Sequence, residues 1–221
     1  MTTAIIGAGN IGGTLARELV AGGERVVIAA RDASDAEAVA RDLGELASAA
    51  PVREAIQAAD VVVFAVWFDT IKELLARDGD LLHGKVVVDP SNPMGFDEKG
   101  RAFRTLPDDR SQASIVAALL PSGAHYVKAF GSLGADSLAQ EANREPHRAV
   151  LFYATDDDDS GATVERLITA AGFDPVKIGG VAAAGRIEVP GGDLHQFGGL
   201  NGKVLDRSAA LAAIAGTHAA A

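Results

Sequence analysis

The residues with the clearest chemical meaning are three glycines spaced as G-x-G-x-x-G near the start of the chain. Gly7, Gly9 and Gly12 follow the apolar run 4–6 and open a segment whose apolar residues have helical spacing. In a strand–turn–helix unit the first glycine permits the tight turn, the second lets a pyrophosphate approach the backbone, and the third lets the helix pack closely. The helix N-terminus then directs free N–H groups at the phosphates. The pattern predicts a dinucleotide site, and we favour that interpretation over a glycine-rich turn that binds no ligand.

Arg31 indicates which dinucleotide binds. It follows the second apolar run, 26–28, at the place where NAD-binding proteins usually carry Asp or Glu for the ribose 2′-OH. A carboxylate would repel a 2′-phosphate, whereas a guanidinium can bind it through two parallel hydrogen bonds. Arg31 therefore favours NADP(H) over NAD(H). The alternative is an ordinary exposed arginine, since Asp32 follows directly.

The composition excludes several classes of function. The 221 residues, 48% of them hydrophobic, suffice for one large domain or for a domain with a small lobe. Cysteine is absent, which excludes disulfides, thiolate nucleophiles and cysteine-bound metals. The net charge of −10 argues against nucleic acid or an anionic membrane as partner. With no apolar run near the roughly 20 residues of a membrane span and no signal peptide, we expect a soluble, cytoplasmic protein.

Apolar runs alternate with helical segments along the whole chain, which predicts an α/β fold. Strands are expected at 3–6, 25–29, 60–66, 85–89, 125–129, 148–154 and 174–178, with a weaker one at 46–49. Helices are expected at 10–21, 35–43, 52–58, 69–77, 111–120 and 160–171. Continuous apolar strands are typical of a parallel sheet covered by helices on both faces. We predict a doubly wound, mostly parallel Rossmann sheet, with a core at 1–130 and a smaller C-terminal lobe at 131–221 that completes the sheet and an acceptor pocket.

Ligands of open α/β sheets bind outside the carboxyl ends of the strands, so the loops at those ends hold the next candidates. Trp67, the only tryptophan, follows the strand at 60–66 and is expected beside the adenosine or the pyrophosphate; packing on the next helix is the alternative. Ser91 and Asn92 follow the strand at 85–89 and could hydrogen-bond the nicotinamide ribose or carboxamide. A turn between two prolines would explain the same two residues without a ligand.

No residue is clearly catalytic. His195, in a glycine-rich loop beside Phe197, is the best histidine for a substrate pocket, and Lys128 lies near the carboxyl end of its strand. A core histidine and a paired or snorkelling lysine are the alternatives. The acidic run 156–159 is interpreted as a turn that caps the following helix, and no metal site is predicted. The absence of an acid–base constellation fits hydride transfer, in which the cofactor carries the chemistry.

Taken together, these segments resemble the NADPH-dependent deazaflavin (coenzyme F420) oxidoreductases, which share the fold of the 6-phosphogluconate dehydrogenase N-terminal domain. The resemblance is carried by 7–12, Ala30-Arg31, 63–66, 89–93, 127–130, 133–138 and 185–197. It implies hydride transfer between the nicotinamide C4 and the deazaflavin C5, in a cleft beside the C-terminal lobe. It also implies NADP contacts from Gly7, Gly9, Asn10, Ile11, Gly12, Arg31, Ala65 and Val66.

Two matters stay open at the level of sequence. Gly131-Ser132 stands where many relatives have Asn-Thr, near the expected second-substrate pocket, so a flavin, quinone, imine or ferric chelate could replace the deazaflavin. A non-catalytic NADP sensor is an alternative from another class, because no proton donor is obvious. The apolar stretch 205–215 predicts a helix that packs on the core or on a second subunit, and the resemblance suggests a homodimer.

Overall fold

A six-stranded parallel sheet organises the fold in a computed structural model that describes residues 1–218. The strands, in chain order, are β1 (Thr2–Ile6), β2 (Arg25–Ala29), β3 (Ala47–Ala49), β4 (Val61–Phe64), β5 (Val86–Asp89), β6 (Met94–Phe96), β7 (Ala102–Arg104), β8 (His125–Lys128), β9 (Val150–Tyr153) and β10 (Asp174–Lys177). The sheet has the order β3-β2-β1-β4-β5-β8. The order reverses direction at β1, between β2 and β4, and this switch point marks where a ligand is expected.

Helices cover both faces of this sheet. They are α1 (Asn10–Ala21), α2 (Ala33–Leu43), α3 (Val52–Ala58), α4 (Phe68–Asp78), α5 (Gln112–Leu119), α6 (Ala135–Gln140), α7 (Asp158–Ala170) and α8 (Arg207–His218), with 3₁₀ turns at Gly79–Leu82 and Val181–Ile187. Side chains of successive strand residues point to opposite faces. Ile5, Val61 and Val63 pack with α1, α2 and α7, whereas Ala4 and Phe64 pack with α3, α4 and α5. This is the doubly wound arrangement predicted from the continuous apolar strands.

The chain beyond β8 forms a second sheet, of two strands, that is linked to β8 by a single bridge. Strands β9 and β10 pair in parallel, and β9 meets β8 in antiparallel fashion through reciprocal hydrogen bonds between Lys128 and Ala154, at 3.0 and 2.9 Å. Helix α7 buries Val164 and Leu167 in the apolar cluster that also holds Leu15 of α1. The prediction of a mostly parallel sheet is therefore confirmed, while the division at residue 130 stays a prediction.

Sequence predicted the strands and main helices with bounds that differ by at most two residues, and those of β2, α1 and α3 agree fully. The strand expected at 60–66 ends at Phe64, so Ala65 and Val66 belong to the loop that follows. The acidic run does cap a helix, since the Asp157 carboxylate accepts a hydrogen bond from the Ser160 N–H at 2.7 Å at the start of α7. The hairpin β6–β7 and the short α6 were not predicted. Within residues 1–218, no helix is long and apolar enough to cross a bilayer.

Candidate functional site

The turn between β1 and α1 requires glycine at two positions because backbone atoms approach so closely. Gly7 has φ +113°, and a Cβ there would lie 2.3 Å from the carbonyl oxygen of Ala65. A Cβ on Gly12 would lie 1.8 Å from the carbonyl oxygen of Gly7. Distances under 3 Å to backbone cannot be relieved by a side-chain movement. The two glycines therefore let the turn, the helix and the loop after β4 lie against one another.

Gly9, in contrast, faces open space. A Cβ on Gly9 would have no heavy atom within 4 Å, and no side chain caps the α1 N-terminus at this residue. The first turn of α1 contains no acidic residue. The leading N–H groups of a helix have no partner within the helix, so those of Asn10 and Ile11 can donate to an anion. The space and the donors fit a pyrophosphate.

Arg31 lies at the carboxyl end of β2, exposed, and forms no salt bridge within residues 1–218. The neighbouring carboxylate has a structural role of its own. Asp32 caps α2 by accepting hydrogen bonds from the N–H and Oγ of Ser34, at 2.9 and 2.7 Å. These hydrogen bonds, together with the charge of Arg31, lower the pKa of Asp32 below its usual value. Because Asp32 is engaged in this cap, Arg31 remains available to a 2′-phosphate. We call residues 7–12 together with Arg31 the nucleotide cradle.

The loop after β4 lies directly beside the cradle. A Cβ on Gly7 would lie 3.0 Å from Cγ1 of Val66, and one on Gly12 would lie 3.2 Å from Cβ of Ala65. The structure therefore places Ala65 and Val66 against the glycine turn, and a contact of these residues with a nucleotide remains a prediction.

Trp67 is 59% exposed and meets Phe96 of β6 edge to face, with 6.4 Å between ring centroids. It lines a pocket of about 380 Å³ with Met94, Thr105 and residues of α4. The partner of Trp67 is thus the hairpin β6–β7 rather than only the following helix. Phe68 instead packs beside the apolar cluster of α3 and α4, so the packing interpretation applies to Phe68.

A buried polar network occupies the carboxyl ends of β5 and β8. Asp89 and Lys128 are paired residues of these strands, 0% and 1% exposed, with 3.6 Å between Nζ and Oδ2. Tyr126 donates its hydroxyl to Asp89 Oδ2 at 2.8 Å, and burial followed by the charge of Asp89 raises the tyrosine pKa well above its usual value. Ser91 donates both its N–H and its hydroxyl to Asp89 Oδ1, and its hydroxyl also accepts from Gln112. The paired-lysine interpretation of Lys128 is confirmed.

Asn92 bridges three segments. Its Nδ2 donates to the carbonyl oxygen of Gly131 at 3.0 Å, and its Oδ1 accepts from the N–H of Val189 at 3.0 Å. The side chain therefore ties the loop after β5 to the loop after β8 and to the segment before Pro190. Contacts of Ser91 and Asn92 with a nicotinamide remain predictions, and both side chains already have protein partners.

His195 is buried, and the protein backbone holds its ring. It is 2% exposed, and burial lowers its pKa to about 4 against a smaller, opposing effect of its hydrogen bond with the Gly131 backbone. The nearby charge of Lys128 adds a further lowering of the same pKa. Nδ1 accepts from the N–H of Phe197 at 3.0 Å. This pattern assigns the proton of the neutral ring to Nε2, the nitrogen that faces Gly131.

Glu188, which the sequence did not single out, is the central residue of the same region. It is 0% exposed and accepts hydrogen bonds from Ser111 Oγ and from the N–H groups of Gln112 and Ala113. It thereby caps α5 from a distant segment, and Arg104 Nη2 lies 3.8 Å away. Gln196 likewise holds the N–H of Gly134 at 2.8 Å. We call residues 90–93, 131–134 and 185–197 the loop cluster.

The parallel sheet, the glycine turn at its switch point and the open helix N-terminus define a Rossmann-type dinucleotide-binding protein. A family model described as "NADP oxidoreductase coenzyme F420-dependent" matches residues 2–93. A solved structure of a hypothetical protein from Sinorhizobium meliloti is 34% identical, with a TM-score of 0.81, over 94% of this chain and 96% of that chain. The chain belongs to this family of NADP oxidoreductases. No curated protein matches it.

More distant structures share the fold. A protein of Arthrobacter sp., provisionally described as an F420-dependent NADP reductase, is 23% identical with a TM-score of 0.70, over 82% of this chain and 86% of that chain. A reductive aminase of Aspergillus terreus, solved with NADPH and ethyl levulinate, is 22% identical with a TM-score of 0.61. That match covers 82% of this chain and 55% of the aminase.

Proposed function

We propose that this protein transfers a hydride between NADP(H) and a second redox molecule, for which a deazaflavin is the first choice. The observation that carries the cofactor assignment is the nucleotide cradle: a Cβ-free opening and free helix N–H groups follow β1, and an exposed arginine follows β2, the strand paired with it. When bound, NADPH supplies the hydride from the C4 carbon of its nicotinamide. The family assignment supports the same cofactor.

Each residue of the cradle has a distinct role in this proposal. The N–H groups of Asn10 and Ile11 bind the pyrophosphate, and Gly9 leaves room for it. Arg31 binds the 2′-phosphate through its guanidinium. Ala65, Val66 and Trp67 form the side of the site on the loop after β4, and Ser91 and Asn92 border the nicotinamide.

The loop cluster favours an acceptor that needs no proton from the protein. At this edge Lys128 is paired, and Tyr126 donates to Asp89 with a raised pKa. His195 is neutral, with its ring nitrogens engaged. A carbonyl substrate would require an acid beside its oxygen as the hydride arrives. A deazaflavin takes the hydride at ring carbon C5 and a proton from water at a ring nitrogen, so this arrangement suits it.

An imine is the second candidate. The reductive aminase of Aspergillus terreus and related imine reductases share the fold, although this chain spans only about half their length. A protonated imine accepts a hydride at carbon without an added proton, so the closed loop cluster is compatible with it as well.

A small-molecule acceptor, a homodimer and a cytoplasmic location complete the proposal. Light scattering of the purified protein tests the dimer.

Stopped-flow oxidation of NADPH at 340 nm, with a panel of acceptors, tests the function. The panel contains a deazaflavin, a flavin, a quinone, a cyclic imine and a ferric chelate. We expect the deazaflavin to give the highest kcat/KM. If another acceptor is reduced and the deazaflavin is not, the deazaflavin is not the acceptor. Tight NADPH binding without reduction of any acceptor would instead support a non-catalytic NADP sensor.

A further inference from the structure

We propose that the buried Lys128–Asp89 pair is a positioning unit, which fixes the loop after β5 so that the nicotinamide half of the dinucleotide binds in a productive orientation. The inference rests on the proposed function because it concerns the same site. It assigns Lys128 no proton transfer and no contact with the adenosine half.

The pair lies in the sheet itself. Asp89 and Lys128 are the last residues of adjacent parallel strands and face each other in register, both buried. Tyr126 supports the carboxylate from β8 by donating to Oδ2. A buried ion pair of this kind often contributes no more stability than two well-packed apolar side chains would. Its presence is therefore better explained by the hydrogen bonds that the ammonium and the carboxylate form with the neighbouring loop.

Those atoms hold Ser91. The Lys128 ammonium donates to the carbonyl oxygen of Ser91, while Asp89 Oδ1 accepts from the N–H of Ser91 at 2.8 Å and from its hydroxyl at 2.5 Å. Gln112 donates to the same hydroxyl from α5. Two strands thus fix the backbone of one loop residue, β5 at its N–H and β8 at its C=O, while α5 holds its hydroxyl. The next residue, Asn92, receives its position from this anchor.

The position of the loop explains why this anchoring matters for one half of the ligand only. Ligands of such sheets lie across the carboxyl ends of the strands. Arg31 follows β2, whereas the pair ends β5 and β8, three and four strands further along the sheet order. With about 4.8 Å between neighbouring strands, the two places are roughly 14 to 19 Å apart. A disturbance at Lys128 should therefore leave the 2′-phosphate end undisturbed.

The test compares NADPH with 2′,5′-ADP, which carries the adenosine half and the 2′-phosphate but no nicotinamide. Since Lys128→Met alone leaves Asp89 as an unpaired buried carboxylate, the double variant Lys128→Met/Asp89→Asn is measured beside it. We expect the Kd of 2′,5′-ADP to stay within about twofold of wild type, and the Kd of NADPH to rise about tenfold or more. The hydride-transfer rate at saturating NADPH should fall as well.

Lys85 provides a matched control. Its ammonium also donates to a backbone carbonyl, that of Ala59 at 2.5 Å, but at the amino end of β5 and so at the opposite edge of the sheet. Lys85→Met is expected to leave both affinities unchanged. The inference is overturned if the double variant weakens both ligands equally or neither, or if Lys85→Met gives the same split. A wild-type protein that binds 2′,5′-ADP and NADPH too weakly to measure would overturn the proposed function itself.

Discussion

The nucleotide cradle and the loop cluster differ in whether their polar groups have partners within the protein. In the cradle, the α1 N-terminus is uncapped by a side chain, Gly9 faces open space and Arg31 is exposed. In the loop cluster, Asn92 and Glu188 are fully engaged with protein partners. The cradle thus offers charge and donors to a ligand, whereas the cluster provides shape. From this difference we expect the cradle to bind the nucleotide through polar contacts. We expect the loop cluster to select the acceptor by the shape of the space that it leaves.

The largest effect expected from this comparison is at Glu188. Glu188→Ala removes three hydrogen bonds at the α5 N-terminus and leaves Arg104 with the exposed Asp108, 4.0 Å away, as its remaining carboxylate. Loss of three hydrogen bonds to a buried carboxylate should lower the free energy of unfolding by about 3–5 kcal/mol in urea denaturation. Glu37→Ala, at an exposed position of α2, is the control and should change it by less than about 0.5 kcal/mol. A loss at Glu188 as small as that of the control would show that the cluster is not held together by its polar contacts.

The next effect distinguishes two adjacent glycines of α1. Gly12→Ala places a Cβ 1.8 Å from the Gly7 carbonyl oxygen, while Gly13→Ala has only an ordinary contact at 3.6 Å. We expect the first to destabilise the protein by about 1–3 kcal/mol and to abolish tight NADPH binding. The second should be neutral or stabilise by about 0.5–1 kcal/mol. Thermal unfolding with and without NADPH measures both, and equal behaviour of the two variants would refute the close-packing argument.

Arg31→Ala tests the charge of the cradle. Loss of a charge-assisted contact with the 2′-phosphate should weaken NADPH binding by about 1.5–3 kcal/mol, while NADH binding stays unchanged. Arg41→Ala, an exposed arginine in the last turn of α2, serves as the matched control. An Arg31→Ala protein that keeps its wild-type affinity for NADPH, in a calorimetric titration, would rule out Arg31 as the 2′-phosphate ligand.

The last effect is a pH dependence that belongs to the loop cluster and is small for each pH unit. His195 has a pKa of about 4 in the folded protein and an ordinary value of 6.5 when unfolded. Between these two pH values the unfolded chain binds a proton at His195 that the folded protein does not. The contribution of the buried neutral His195 to stability is therefore complete above pH 6.5 and is lost as the pH falls towards 4. The slope is about 1.4 kcal/mol per pH unit. Urea denaturation of wild type and His195→Asn at several pH values should differ by this slope between pH 4 and 6.5. Parallel curves would show that folding does not lower the pKa of His195.

The same comparison explains what could be predicted from sequence. The cradle was predictable because its residues lie within 25 positions of one another and obey a local spacing rule. The loop cluster depends on contacts across 37 positions, from Lys128 to Ser91, and across 97, from Val189 to Asn92. Glu188 and Asp89 look like surface carboxylates in the sequence, and only the fold buries them. The hairpin β6–β7 was not predicted because its strands have three residues each, too few to show an alternating pattern.

The most direct test of the cofactor assignment compares NADPH with NADH on the wild-type protein. Trp67 is the only tryptophan and lies on the loop beside the glycine turn, so energy transfer from it to the dihydronicotinamide reports binding. We predict that NADPH binds about tenfold or more tightly than NADH. Equal affinities, or tighter binding of NADH, would contradict the assignment of the cradle to NADP(H).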